Sequence, residues 1–484
     1  MGESYSCPSG GSVAAGRRAV PSWAPASGQC KTVSYAAGTH PAGSGATLAE
    51  ITTLVQAWNP TPANDGPWAG SDHLFGYPSL LSYGGFGYNR ETLQYFAYGA
   101  GHSAINVPVP YAFDLTDRRW KWLGTPPPSD GMYGVRSLAQ PATKANIDAA
   151  YPTQTSQSGA AVQYNSDWGD WNGDWTGWPS GYGRPGKIFP EPGHGFLRMC
   201  YIPGDAYGLA GGAFLLAGNP TGSTSGSDIK TSHLWEFAPA AWKRTATQRP
   251  NGVGAAVGAT VYDPRRKKAL CANAVFSAFM SQFAVWDAAT KAWSLVTSTN
   301  SVWLSAFGGG LVVHEGLDLL LALSAVDGAG DPASQGVAYK VWAAPLAAVF
   351  SGAAFTWQAL TLSVTSWPLN PSGGAINTIN NRTFAYCPDN GALYALDAYT
   401  GSTQVWKLAP PAGARSQAAA LAGTWTVAPE SFGGEGLASR SPSAVTPWTS
   451  QQYGRLQWVP HCKAFLWVSD DTTGPVQMIR PTGV

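Results

Sequence analysis

Tyr111–Leu123 reads YAFDLTDRRWKWL. Tyr111, Phe113 and Leu115 alternate as a half-buried strand does, Thr116-Asp117 is turn-like, and Trp120 and Trp122 restart the alternation on a return strand. The same pattern recurs as HLWEFAPAAWKRT at 233–245, AVWDAATKAWSLV at 284–296 and ALYALDAYTGSTQVWKL at 392–408. From Phe113 to Trp120, Trp235 to Trp242 and Trp286 to Trp293 the aromatic spacing is seven residues. A looser copy runs from Tyr339 and Trp342 to Trp357, with a long turn between. Recurrence of an aromatic strand, a turn and a strand opening on Trp is the mark of a repeat architecture.

Working outward, units of about four strands follow one another from Tyr77. The first holds LLSYGGFGYN, LQYFAYGAG, PYAFDL and RWKWLG; the second FLRMCYIP, GAFLLAGN, HLWEFAP and AWKRTA. The sixth holds GRLQWVPH, AFLWVSD and PVQMIRP and lacks its Trp-bearing fourth strand. An incomplete last unit in a ring leaves unpaired sheet edges, so a strand from within residues 30–60 is expected to complete it. The expectation is therefore an all-β chain, a six-bladed β-propeller closed by an N-terminal strand. A seventh blade hidden in the insert 125–192 is the alternative. Residues 1–74 form a non-repeating N-terminal segment with a strand candidate at Thr32–Tyr35 and one short helix, Thr47–Trp58, where Leu48, Ile51, Leu54, Val55 and Trp58 keep helical spacing. Residues 75–484 form the propeller.

Composition agrees. The chain has 484 residues with 58 Gly, 37 Pro, 22 Trp and only 12% charged residues, which suits many short strands joined by tight turns. A formal net charge of +1 leaves no footprint for nucleic acid. The densest basic run, Arg265-Arg266-Lys267-Lys268, follows Asp263-Pro264 and reads as a solvated hairpin turn. No apolar run is long enough for a membrane-spanning helix, and the N-terminal stretch has no apolar core of a secretory signal, so neither membrane insertion nor export is expected. Of six cysteines, none forms a C-x-x-C pair, so no zinc site is expected. Cys7 and Cys30 could bridge; Cys200, Cys271, Cys387 and Cys462 sit in strand-like runs as buried thiols.

The segment Tyr98–Trp120, YGAGHSAINVPVPYAFDLTDRRW, resembles the G-G-G-H…Y-x-F-D-L…W stretch of kelch-like proteins of bacteria and tailed bacteriophages, with Ala100 where a third glycine is usual. The units as a whole resemble kelch-type and galactose-oxidase-like propellers. The resemblance implies a non-enzymatic structural or receptor-binding component of a bacteriophage particle: a tail fibre, spike or head decoration, assembled in the host cytoplasm. Its implied partners are other virion proteins and a host-surface glycan or receptor, with the chain oligomeric or in many copies. The alternatives are a secreted carbohydrate-binding or carbohydrate-active propeller, located extracellularly, and a kelch interaction scaffold.

No catalytic constellation, metal site or cofactor site is legible. The copper ligands of a galactose-oxidase-like enzyme find no match here, and Asp167, Asp170 and Asp174 lack the calcium-loop spacing. His102 in Gly-Ala-Gly-His and His194 in Pro-Gly-His-Gly would lie near the inner strands and are the channel-facing candidates. The sharpest feature is Tyr164–Tyr182, YNSDWGDWNGDWTGWPSGY. Trp168, Trp171, Trp175, Trp178 and Tyr182, interleaved with Gly and Asp, are the candidates for protein or glycan contact, because flat amphipathic rings stack on sugars and fill interface pockets. The competing expectation is a lid packed over one end of the ring.

Overall fold

The computed structural model describes residues 20–33, 44–45, 85–98, 111–123, 199–217, 234–237, 242–244, 259–272, 278–304, 310–325, 339–364, 382–399, 402–438, 454–468 and 475–484. The chain enters through β1 (Gln29–Thr32). The first sheet holds β2 (Ser44–Gly45), β3 (Gly85–Asn89), β4 (Gln94–Tyr98), β5 (Tyr111–Asp114) and β6 (Arg119–Trp122), in the order β2-β6-β5-β4-β3. The second holds β7 (Met199–Ile202), β8 (Ala213–Ala217), β9 (Leu234–Phe237) and β10 (Trp242–Arg244), and its β7–β8 connection carries a helical turn, α1 (Gly204–Tyr207).

The third and largest sheet starts with β11 (Thr260–Asp263), β12 (Lys268–Ala272), β13 (Ala278–Asp287) and β14 (Ala292–Leu304). It continues through β15 (Leu311–His314), β16 (Leu319–Ala325), β17 (Tyr339–Pro345), the turn α2 (Leu346–Val349) and β18 (Gln358–Ala359). A fourth sheet contains β19 (Thr361–Leu362), β20 (Arg382–Cys387), β21 (Ala392–Tyr399), β22 (Ser402–Ala409) and, after α3 (Gln417–Ala422), β23 (Thr424–Glu430). The last sheet has β24 (Gly433–Gly434), β25 (Gln457–Val459), β26 (Ala464–Val468) and β27 (Val476–Ile479), and β1 is inserted between β27 and β24.

These sheets form a β-propeller. The innermost strands β3, β7, β11, β15, β20 and β25 pack on one another in that order, and β25 packs back on β3. Among the described residues the sheets number five, not the six or seven blades expected. The physical reason is the length of β13 and β14, whose far end pairs Trp303 with Ala325 of β16 and merges the third and fourth units into one eight-stranded sheet. Between the first two units β3 packs directly on β7.

The hairpin turns explain the aromatic–acid pattern of the sequence. Asp114 Oδ1 accepts the Thr116 amide at 2.8 Å, Asp263 Oδ1 the Arg265 amide at 2.9 Å, Asp287 Oδ1 the Ala289 and Thr290 amides at 2.9 and 3.0 Å, and Asn89 Oδ1 those of Glu91 and Thr92 at 2.9 and 3.0 Å. A short polar side chain thus ends the strand by bonding its own backbone two and three residues on. The residue four further on then takes left-handed backbone at Leu93, Arg118, Lys267 and Lys291, as do Asp318 after His314 and Lys463 after Val459, all with φ between 51° and 58°. Only Gly391 does so without a side chain, and each of the others costs roughly 1–2 kcal/mol. The aromatic spacing is the register itself, since Phe113 faces Trp120 and Trp286 faces Trp293. In the second unit the facing pair is Phe237 and Trp242 instead.

The core lies between sheets. Tyr95, Phe113, Trp120, Val459, Leu466 and Met478 join the first sheet to the last, and Trp286, Cys271, Leu215 and Ile202 join the second to the third. Burying a ring such as Trp120, 2% exposed, contributes about 3 kcal/mol.

Closure is non-local. β1 pairs antiparallel with β27 through Cys30↔Ile479 and Lys31↔Met478, and parallel with β24. Glu435 Oε2 accepts the Thr32 amide at 2.8 Å, Ser27 Oγ donates to the Pro481 carbonyl at 3.2 Å and accepts the Gly483 amide at 2.9 Å. Cys30, Cys200, Cys271, Cys387 and Cys462 are free buried thiols, so Cys30 is not bridged; burial pushes Cys30 up to about 12. The helix Thr47–Trp58 and the insert 125–192 lie outside the described residues.

Candidate functional site

In an antiparallel four-strand unit, the first-to-second and third-to-fourth connections fall at one end and the others at the opposite end. At the first end the connections 90–93, 115–118, 264–267, 288–291, 315–318, 388–391 and 460–463 are four residues each. We call this the turn end. At the other end the connections include 99–110, 123–198, 218–233, 363–381 and 435–456. The segment bearing the Trp cluster leaves β6 and enters β7 at that opposite end.

The turn end is sewn together by side chains that cross from unit to unit. Tyr88 Oη and His461 Nδ1 are 3.0 Å apart, joining the first unit to the last. Asn89 Nδ2 donates to the Gly211 carbonyl at 2.8 Å, and Glu91 Oε1 accepts the Gly204 amide at 3.1 Å, joining the first to the second. Lys291 Nζ donates to the Tyr207 carbonyl at 3.0 Å and sits 3.4 Å from that ring's centre, joining the second to the third. His314 Nε2 is 2.9 Å from the Gly391 carbonyl, joining the fourth to the fifth, and Lys463 Nζ lies 3.8 Å from Asp389, joining the fifth to the last.

The strongest node is Arg266. It donates to Asp263 Oδ2 at 2.8 Å and forks onto Asp318 Oδ1 and Oδ2 at 2.8 and 2.9 Å. Gln417 Nε2 also donates to the Asp318 carbonyl, at 2.6 Å. The basic run expected to be a solvated turn is a turn, but Arg266 within it is bound to two carboxylates. The Arg266 hydrogen bonds, with burial opposing them, hold Asp318 below the usual carboxylate range.

His314 is 2% exposed and was not singled out from the sequence. Its Nε2 faces a carbonyl, so Nε2 carries the hydrogen and Nδ1 accepts the Leu317 amide at 3.2 Å. Burial pushes it down to about 4. The available signal was positional: His314 ends its strand where Asn89 and Asp263 end theirs. Cys387 takes the same place in the fifth unit, and burial pushes its thiol up to about 12.

His102, His194, Trp168, Trp171, Trp175, Trp178 and Tyr182 all lie outside the described residues. Among the described residues no group of His, Cys, Asp or Glu is arranged to hold a metal ion, and no helix is long and apolar enough to cross a membrane. No protein-family model matches the sequence, and no curated protein matches it.

Proposed function

We propose that this chain is a kelch-like propeller acting as a non-enzymatic structural or receptor-binding component of a bacteriophage particle, a tail fibre, spike or head decoration. It meets its partners through the long connections at one end of the ring. The observation that carries the reading is the contrast between the two ends. At the turn end the described side chains of Asn89, Glu91, Lys291, His314 and Arg266 bond from unit to unit around the ring. The chain's longest connections, including the one with Trp168, Trp171, Trp175 and Trp178, start and finish at the opposite end. Connections held on a rigid scaffold are where binding residues concentrate. The partners in this reading are other virion proteins and a host-surface glycan or receptor, and the chain is present in several copies, assembled in the host cytoplasm. Particles purified from the source and analysed by mass spectrometry and cryo-electron microscopy test it. The expected result is this polypeptide at fixed stoichiometry in the particle. Its absence from particles, together with recovery of the free protein carrying sugar or copper, would replace the reading with a carbohydrate-active propeller.

A further inference from the structure

We infer that Asn390 is a covalent modification site: it loses its side-chain amide to the backbone nitrogen of Gly391 when the β20–β21 turn opens, and the closed turn holds it unreacted. The inference stands apart from the particle reading, which concerns the opposite end.

The chain has three Asn-Gly steps, Asn172-Gly173, Asn251-Gly252 and Asn390-Gly391. Glycine carries no side chain to shield its own nitrogen, so an asparagine before it is the most readily deamidated. Hydroxide takes the Gly391 amide proton, and the nitrogen attacks Asn390 Cγ. The bond from Cγ to Nδ2 breaks, and ammonia leaves with a proton from water. Water then opens the resulting succinimide, which leaves an aspartate or an isoaspartate at position 390.

The third step lies within the described residues, and there every reacting atom is engaged. The Gly391 amide, whose hydrogen must be given up, donates to the Cys387 carbonyl at 2.9 Å. The leaving nitrogen, Asn390 Nδ2, donates to Tyr394 Oη at 2.9 Å, and Tyr394 is 0% exposed. The Gly391 carbonyl takes the hydrogen of His314 Nε2 at 2.9 Å. Asn390 Oδ1 accepts the Ala392 amide at 3.1 Å. That last bond favours attack, because it draws charge onto Oδ1. The other three oppose it, since they fix the side-chain amide and the peptide plane and keep the nitrogen from swinging onto Cγ.

His314 and Gly391 belong to the fourth and fifth units, so local opening of that seam is the event that frees the turn. Once the reaction has run, position 390 carries a carboxylate where it offered a donor to Tyr394. The new charge lies beside Asp389, which is 3.8 Å from Lys463. An isoaspartate also lengthens the backbone inside the turn, against the register that pairs Cys387 with Ala392. A transient opening of the seam thereby becomes a permanent one.

The test incubates the intact protein in mildly alkaline buffer, folded or in guanidinium chloride, and follows the Asn390 peptide by mass spectrometry. Deamidation appears as a gain of one dalton, and Asn390→Gln checks the assignment. In denaturant Asn390 is expected to react alongside Asn172 and Asn251. In the folded protein it should react at least about tenfold more slowly. Tyr394→Phe, which releases Nδ2, should speed the folded reaction several-fold. His314→Asn, which withdraws the donor from the Gly391 carbonyl, should do the same, and melting curves show which variants fold. Equal rates at Asn390 in the folded and unfolded protein, no reaction there in denaturant, or folded variants reacting no faster than the parent would overturn the inference.

Discussion

Within the eight-stranded sheet, all the strand pairs but β14–β16 are neighbours in the chain, whereas the last sheet joins Cys30 to Ile479. The first kind of pairing closes small loops, and the β11–β12 and β13–β14 turns are fixed by the carboxylates of Asp263 and Asp287. The second closes a loop of nearly the whole chain. Loop-closure entropy grows only slowly with length, so four residues of β1 suffice for closure if both edges of the strand are paired. They are: β27 lies on one side and β24 on the other. Local chemistry thus builds each unit, and a few long-range hydrogen bonds hold the ring shut.

The sharpest way to break the first kind of sheet is at Arg266, which ties the third unit's turn to the fourth's. Arg266→Ala leaves Asp263, whose side chain is 1% exposed, without its counter-charge. The expected cost is about 3–5 kcal/mol in equilibrium urea unfolding. The closing sheet is broken instead by Lys31→Pro, which removes an amide from the ladder between β1 and β27. A loss of about 3 kcal/mol is expected by the same measurement. If the closing strand were peripheral, that variant would melt like the parent.

A third test titrates rather than mutates. His314 is neutral when folded, with its pKa lowered from 6.5 to about 4, so the unfolded chain binds the extra proton first. Its contribution is complete above pH 6.5 and is lost as pH falls toward 4, amounting to about 3 kcal/mol. His314→Asn, which places there the residue found at Asn89, should flatten that part of the stability–pH curve. The smallest effect is expected at Cys387, where a thiol stands in the place that Asp or Asn holds in other turns. Cys387→Asn should change stability by under about 1 kcal/mol, because the amide can accept the turn's backbone hydrogens in the same way.

How much was legible follows the same division. The hairpins, the repeated aromatic pairs and the need for an N-terminal closing strand are written in short stretches, and Phe113–Trp120 and Trp286–Trp293 are read straight from spacing. β1 was expected within residues 30–60 and spans Gln29–Thr32. The merging of two units was not legible, because it depends on how far β13 and β14 extend in space. Nor was the seam of the turn end. Arg266 reads as one of four consecutive basic residues, and only the fold brings Asp318 beside it. The Trp cluster and His102 and His194 lie outside the described residues, so the contact role of the long connections rests on the sequence and on the ends of the strands that bear them.

The central claim is that partner contact belongs to the long-connection end and that the turn end is closed upon itself. Hydrogen exchange read by mass spectrometry, on the free protein and on the protein in its purified particle, tests it directly. The expected result is new protection in peptides covering Trp168–Trp178 and the other long connections, with turns 89–93, 263–267, 314–318 and 387–391 unchanged. Protection confined to those turns, with the Trp-bearing peptides unaltered, would contradict it.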